Sequence, residues 1–166
     1  MTKRFLVPSE YSPGDTWRLL DWCRELGADE FTIDYHSVDA VGVGKVWADF
    51  DARVRRFGRG KKNRERMSGK TVDDLLRYTD LWQLTDETVR ALQAALPSGL
   101  LQYDPQEDAW FEDPVFYRDG ELMLGVLSHE AFGVLRLDDA EVSLLSAAGF
   151  PTHESVPRIS DTRADT

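Results

Sequence analysis

Two runs of alternating apolar residues meet at Asp119-Gly120, and this junction constrains the fold more than any other feature of the sequence. Asp-Gly is a preferred two-residue turn between antiparallel strands, because Asp and Gly both tolerate a positive φ. The two runs are residues 115–118 and 121–128, and similar runs occupy residues 100–103 and 133–137. We therefore expect an antiparallel β-meander in the C-terminal half of the chain.

Helical patterns account for much of the remaining sequence. Ser12 can cap a helix that starts with Pro13, and Gly27 can end it. Apolar residues at helical spacing predict further helices over residues 46–57, 71–78, 85–96 and 140–148. The second and third of these would form a helical hairpin. The expected fold is α+β, with the meander packed against about four or five helices.

A length of 166 residues suits one folded domain, which can bury a core without disulfide or metal cross-links. The single cysteine, Cys23, excludes an internal disulfide and a zinc site with two or more thiolates. The sequence contains no long apolar run and no signal-peptide core, so we expect a cytoplasmic protein with no membrane partner. The domain should cover residues 1–150, and a polar tail should follow over residues 151–166.

The net charge of −10 is distributed unevenly along the chain. The segment 53–70, from Arg53 to Lys70, contains nine basic residues and one acid, so it carries +8 and the rest carries −18. We expect this segment to be a mobile basic loop. An acidic body repels nucleic acids and attracts basic protein surfaces, so nucleic acid would bind only through that loop.

A group of acids surrounds two aromatic residues just before the predicted hairpin. Exposed aromatic rings supply contact area and carboxylates steer a basic partner, so this group indicates a recognition surface. The alternative is that both rings turn inward as strand residues. The group consists of Asp104, Glu107, Asp108, Trp110, Phe111, Glu112 and Asp113.

Two histidines offer an alternative, catalytic function. Asp34 and His36 share one face of a strand predicted over residues 31–36 and are candidate ligands for a divalent metal. His129 and Glu130 follow a predicted strand and are a candidate acid–base pair. If folding brings the two pairs together, they would suit a metal-assisted hydrolase acting on phosphoesters. Because these groups are scattered, we expect neither catalysis nor a cofactor.

The charge balance therefore favours a binding function over an enzymatic one. We expect a small acidic interaction protein that neutralises or regulates a basic protein partner. Immunity proteins, antitoxins and nucleic-acid mimics act in this way, because a strongly acidic body can occupy a cationic cleft.

Overall fold

A single antiparallel sheet organises this protein, which is described here from a computed structural model covering residues 1–37, 44–63, 78–104 and 109–155. Its strands are β1 Thr2–Leu6, β2 Glu30–Ser37, β3 Gly58–Asn63, β4 Tyr78–Gln83, β5 Ala109–Arg118, β6 Glu121–Leu127, β7 Phe132–Leu137 and β8 Thr152–His153. The described helices are α1 Pro13–Glu25, α2 Lys45–Val54, α3 Asp86–Ala95 and α4 Asp139–Ala147. The strand order is β3-β4-β2-β5-β6-β7-β1-β8.

The expectation of a meander in the C-terminal half alone is wrong, because strands from the whole chain build the sheet. A meander is present as β5-β6-β7, and its first turn is Asp119-Gly120 with φ values of 52° and 77°. The strand expected over residues 100–103 is absent, because these residues form a turn and irregular backbone. The strands β1, β3 and β4 extend this sheet on both sides. The helix expected over residues 71–78 is wrong at Tyr78, which begins β4. Its other residues, 71–77, lie outside the described residues, so the expected helical hairpin stays a prediction.

The basic segment is ordered where it is described. Arg53 belongs to α2, residues 55–57 form a 3₁₀ turn, and residues 58–63 form β3 at the edge of the sheet. Residues 64–70 lie outside the described residues. Arg59 and Lys61 are exposed on this edge, and the ladder is irregular around Gly60, whose φ is 97°. Charged and bulged edge strands resist pairing with the sheets of other molecules. The basic residues of β3 therefore protect an edge of the sheet, a role that a loop would not require.

The main hydrophobic core lies between the sheet and the helices. Phe31 and Phe116 of the sheet are fully buried against Leu20 of α1 and Leu92 of α3. We call this side of the sheet the helix face and the other side the outer face. A smaller buried cluster on the outer face contains Leu81, Val115, Tyr117, Leu122 and Val134.

The start of α1 confirms the sequence interpretation. The Ser12 hydroxyl accepts from the backbone N–H of Asp15, and the Asp15 carboxylate accepts from the backbone N–H of Ser12. This reciprocal capping satisfies two backbone donors that have no partner inside the helix. Gly27 follows the helix with a φ of 102°, as expected for a left-handed C-terminal residue. Cys23 is fully buried on this helix, and burial raises the pKa of its thiol well above the usual range.

The beginning of the expected tail belongs to the sheet. β8 pairs with β1, and Arg4 donates to the Thr152 hydroxyl at 3.1 Å and forms an ion pair with Glu154 at 3.0 Å. Residues 156–166 lie outside the described residues. Among the residues that are described, no helix has the length and apolar content needed to cross a membrane.

Gly99 marks a close approach between the segment after α3 and the start of α1. Its φ is 99°, and a Cβ atom there would lie 2.7 Å from Thr16 Oγ1 and 3.0 Å from Pro13 Cα. We expect Gly99→Ala to lower the free energy of unfolding by about 2–4 kcal/mol, because backbone strain and a steric clash combine. Urea unfolding measures this loss.

Gly120 provides the control, because its φ is also positive but no atom lies within 4 Å of the position that an added Cβ would take. Gly120→Ala should cost only the backbone strain, about 1 kcal/mol. Equal losses in the two variants would show that the close approach between Gly99 and α1 adds no steric cost.

Candidate functional site

One cluster of candidate residues lies on the outer face, where β2 pairs with β5. The register places His36 opposite Trp110 and Asp34 opposite Glu112. The His36 and Trp110 rings stack with centroids 5.4 Å apart. Trp110 Nε1 donates to Glu112 Oε2 at 3.1 Å. His36 Nε2 lies 2.7 Å from Glu112 Oε1, which is an ion-pair distance without the alignment of a hydrogen bond.

This cluster explains how a carboxylate can lie on a nearly buried part of the sheet. Glu112 is only 9% exposed and stands directly opposite Asp34, an arrangement of like charges that destabilises a strand pair. The His36 ring and the Trp110 N–H face Glu112 and offset this cost. The contacts therefore account for the cluster as a cross-strand polar pairing.

The second candidate pair lies elsewhere. His129 and Glu130 occupy an exposed 3₁₀ turn after β6, with His129 Nε2 3.6 Å from Glu130 Oε1. The described contacts join His129 to Glu130 and Tyr103, whereas His36 contacts Glu112 and Trp110. Within the described ranges, no three His, Cys, Asp or Glu side chains converge as metal ligands. The four-residue hydrolase site is not assembled among these residues.

Three of the five described residues in the acidic and aromatic group between residues 104 and 113 are buried, namely Phe111, Glu112 and Asp113. Phe111 is 1% exposed and packs against Phe50 on the helix face, with ring centroids 4.9 Å apart. Trp110 is half-buried, Asp104 is exposed, and Glu107 and Asp108 lie outside the described residues. β5 begins at Ala109, so strand alternation directs Phe111 toward the helices. The inward alternative therefore holds for Phe111.

Asp113 is also buried, and it has a structural partner. Its backbone N–H donates to the Ser128 hydroxyl at 2.9 Å, and its Oδ1 accepts from the Ser128 N–H at 2.6 Å. The φ of Asp113 is 53°, in a stretch of β5 where the pairing with β2 is irregular. These contacts connect β5 to the turn after β6. In this fold Asp113 is not available to a partner.

Exposed carboxylates instead collect at one end of the sheet. The Asp29 carbonyl accepts from the Leu84 N–H at 2.7 Å, and the Asp29 N–H donates to the Tyr117 carbonyl at 3.0 Å. These bonds join the segments before β2 and α3 to the end of β5, next to the β5–β6 turn. We call this surface the acidic end; its exposed carboxylates are Glu25, Asp29, Asp86, Asp119, Glu121, Asp138 and Asp139.

The two arginines at the acidic end are already engaged by carboxylates. Arg24 lies 2.6 Å from Asp86, and its hydrogen bond lowers the pKa of that carboxyl. Arg118 donates to the Leu26 carbonyl at 3.2 Å and to both carboxylate oxygens of Glu141. Among the described residues, six of the seven carboxylates have no ion-pair partner, but Asp138 accepts from the Glu141 N–H and Asp139 accepts from the Thr2 hydroxyl. The four with neither an ion pair nor a side-chain hydrogen bond are Glu25, Asp29, Asp119 and Glu121.

Sequence reasoning missed the acidic end because its residues come from four separate segments. The only signal in the sequence was the overall negative charge, which does not say where the carboxylates meet. Comparison of this chain with protein-family models, with curated proteins and with solved structures finds no match.

The two aromatic residues should behave differently when they are truncated. We expect Phe111→Ala to lower the free energy of unfolding by about 3–5 kcal/mol, because it leaves a cavity in the main core. Trp110→Ala should cost about 1–2 kcal/mol, since it removes a ring contact and one hydrogen bond at a half-buried position. Chemical denaturation of both variants tests this order, and the reverse order would contradict the assigned burial.

The Arg118–Glu141 pair should make stability depend on pH. The Arg118 hydrogen bond holds the pKa of Glu141 below its usual value of 4.5. The pair therefore contributes stability above pH 4.5 and loses it as the pH falls through the folded-state pKa. We expect Glu141→Gln to cost about 2 kcal/mol at neutral pH and less in acid.

Urea unfolding of the wild type and of Glu141→Gln, at neutral pH and at pH about 3, measures how the stability lost in the variant changes with pH. Glu121→Gln is the control, because Glu121 is exposed and its change should cost less than about 0.5 kcal/mol. A loss for Glu141→Gln that is the same at both pH values would contradict the role of the ionised pair.

Proposed function

We propose that this chain acts in the cytoplasm as an acidic interaction protein that binds a basic surface of a protein partner through the acidic end. It neutralises or regulates that partner, as an immunity protein, an antitoxin or a nucleic-acid mimic does. One observation carries this proposal: four exposed carboxylates that have neither an ion pair nor a side-chain hydrogen bond among the described residues meet at one end of the fold.

Among the described residues, no ion pair or side-chain hydrogen bond accounts for these four carboxylates. The Lys62 ammonium donates to the Gly120 carbonyl at 2.7 Å, between two of them, but forms an ion pair with neither. Asp86 and Asp139 lie in the first turns of α3 and α4, where the helix dipole stabilises negative charge. Glu25 ends α1, where the same dipole opposes a negative charge by about 0.3–1 kcal/mol. Asp29, Asp119 and Glu121 stand in or beside turns. A basic partner would relieve the mutual repulsion that remains at this surface.

The overall charge supports the same partner class. Outside residues 53–63, the described residues contain 8 Lys and Arg against 22 Asp and Glu, a net charge of −14. Such a field speeds the approach of a basic protein at low salt, and the effect is screened beyond about 10 Å at 0.1 M salt. Binding should therefore be fast and strongly dependent on salt.

The test compares capture of partners from an extract of the native host by three tagged proteins: the wild type and two charge variants. The first variant neutralises the acidic end with Glu25→Gln, Asp29→Asn, Asp119→Asn and Glu121→Gln. The second removes the same number of charges from exposed positions elsewhere, with Glu10→Gln, Asp104→Asn, Glu130→Gln and Glu154→Gln. Mass spectrometry identifies the captured proteins, and calorimetry with the purified partner measures affinity.

We expect the wild type and the second variant to capture a basic protein at about 0.05 M NaCl and to lose it near 0.5 M. The first variant should bind that protein about tenfold more weakly or worse, because the lost charges face the partner. Recovery of no basic partner at either salt concentration, or of nucleic acid alone, would show that the proposal is wrong. Equal weakening by both variants would exclude the acidic end as the binding surface.

A further inference from the structure

A groove between α2 and α3 lies beside the acidic end, and the proposed function does not use it. Its charged half is a cavity of about 430 Å³ lined by Ala52, Arg53, Arg56, Glu87 and Arg90. Its apolar half, a cavity of about 220 Å³, is formed largely by Val46, Phe50, Ala91, Ala94 and Ala95. Arg53 lines both halves, so a positively charged side chain lies next to the small apolar surface that forms the floor of the groove.

The arginines of this α2–α3 groove are only partly neutralised. Arg56 lies 3.0 Å from Glu87, whereas Arg53 and Arg90 have no carboxylate at ion-pair distance among the described residues. Asp49, at the apolar half, is paired with Lys45 at 2.9 Å. In a chain with a net charge of −10, this groove therefore contains two exposed arginines that form no ion pair with the described residues.

The apolar half adds a second kind of contact. Val46 is 47% exposed at the rim, which is high for a large apolar side chain in this protein. The small alanines of α3 leave space beside it. An aliphatic side chain of a partner would cover Val46 and be positioned next to Arg53.

We propose that the α2–α3 groove binds an acidic side chain of the protein partner, with a neighbouring aliphatic side chain on the apolar floor. This inference rests on the proposed function, since the same partner presents its basic residues to the adjoining acidic end. Guanidinium groups bind carboxylates through paired, charge-assisted hydrogen bonds. The groove thereby distinguishes a partner with both charges from a protein that is merely basic.

Attraction by the overall negative charge and recognition by the groove predict opposite preferences between a purely basic peptide and a peptide with both charges. Defined peptides therefore test the inference. The first probe is an alanine-based helical peptide of about 18 residues that carries both charges, and we call it the dipolar probe. It has two Lys at one end and a Glu about 10 Å further along the helix. A Leu follows four residues after the Glu, on the same face of the helix. The basic probe has Lys in place of that Glu. A single-stranded DNA of similar length is the third probe. Fluorescence anisotropy at low salt measures the affinity of each labelled probe.

Overall charge alone favours the basic probe, because the protein is acidic. The inference instead requires the dipolar probe to bind more tightly, by about tenfold, through the arginines. Equal or tighter binding of the basic probe overturns the inference and leaves the proposed function standing. Failure of both peptides to bind, or preferred binding of the DNA, also overturns it, while the host capture experiment judges the proposed function separately.

Substitutions then locate the effect. Arg53→Gln with Arg90→Gln changes two exposed arginines that have no ion-pair partner among the described residues, so folding should be preserved, which circular dichroism checks. The preference for the dipolar probe should disappear in this double variant. The matched control, Lys3→Gln with Arg59→Gln, removes two exposed charges that do not line the groove and should keep the preference. An unchanged preference in the arginine variant would overturn the inference.

Discussion

The ladder between β2 and β5 holds the two halves of this fold together. β2 comes from the N-terminal half and pairs with β4 on one side and with β5, the first strand of the meander, on the other. On the helix face, this ladder aligns Phe31 with Phe116, both of which are fully buried. On the outer face, the same register brings His36 and Trp110 to Glu112. A shift of one residue would exchange these faces, so core packing specifies the register.

The direction of the helices relative to the sheet determines the pattern of surface charge. α1 and α2 end, and α3 and α4 begin, near the end of the sheet where the β5–β6 turn lies. First-turn acids of α3 and α4 thus meet the turn acids at one end, while Arg53 in the last turn of α2 lies beside them. Helix dipoles favour part of this arrangement. Helix dipoles do not favour the carboxylates of Glu25, Asp29, Asp119 and Glu121, which have no ion pair among the described residues. These four carboxylates are the reason for the proposed interaction.

Local signals predicted the elements in which one residue enforces the conformation. Ser12 and Asp15 form the expected cap of α1, and Asp119-Gly120 forms the expected turn. β3 escaped prediction because its sequence is basic and rich in glycine, and an edge strand needs no apolar alternation. The candidate site was also only partly predictable. The excess of negative charge was evident from composition. Phe111 and Glu112, however, could be assigned to opposite faces of the sheet only once β5 was known to begin at Ala109.

The sequence by itself determined the amphipathic helices, the β5–β6 hairpin and the excess of negative charge, because each depends on neighbours within a few residues or on composition alone. Only the tertiary structure decided that β1, β3 and β4 join one sheet, that Glu112 faces His36, and that the carboxylates of four segments meet at one end. Those features depend on contacts between residues far apart in the chain. Their free energy comes from burying both partners at once, which a local pattern does not encode.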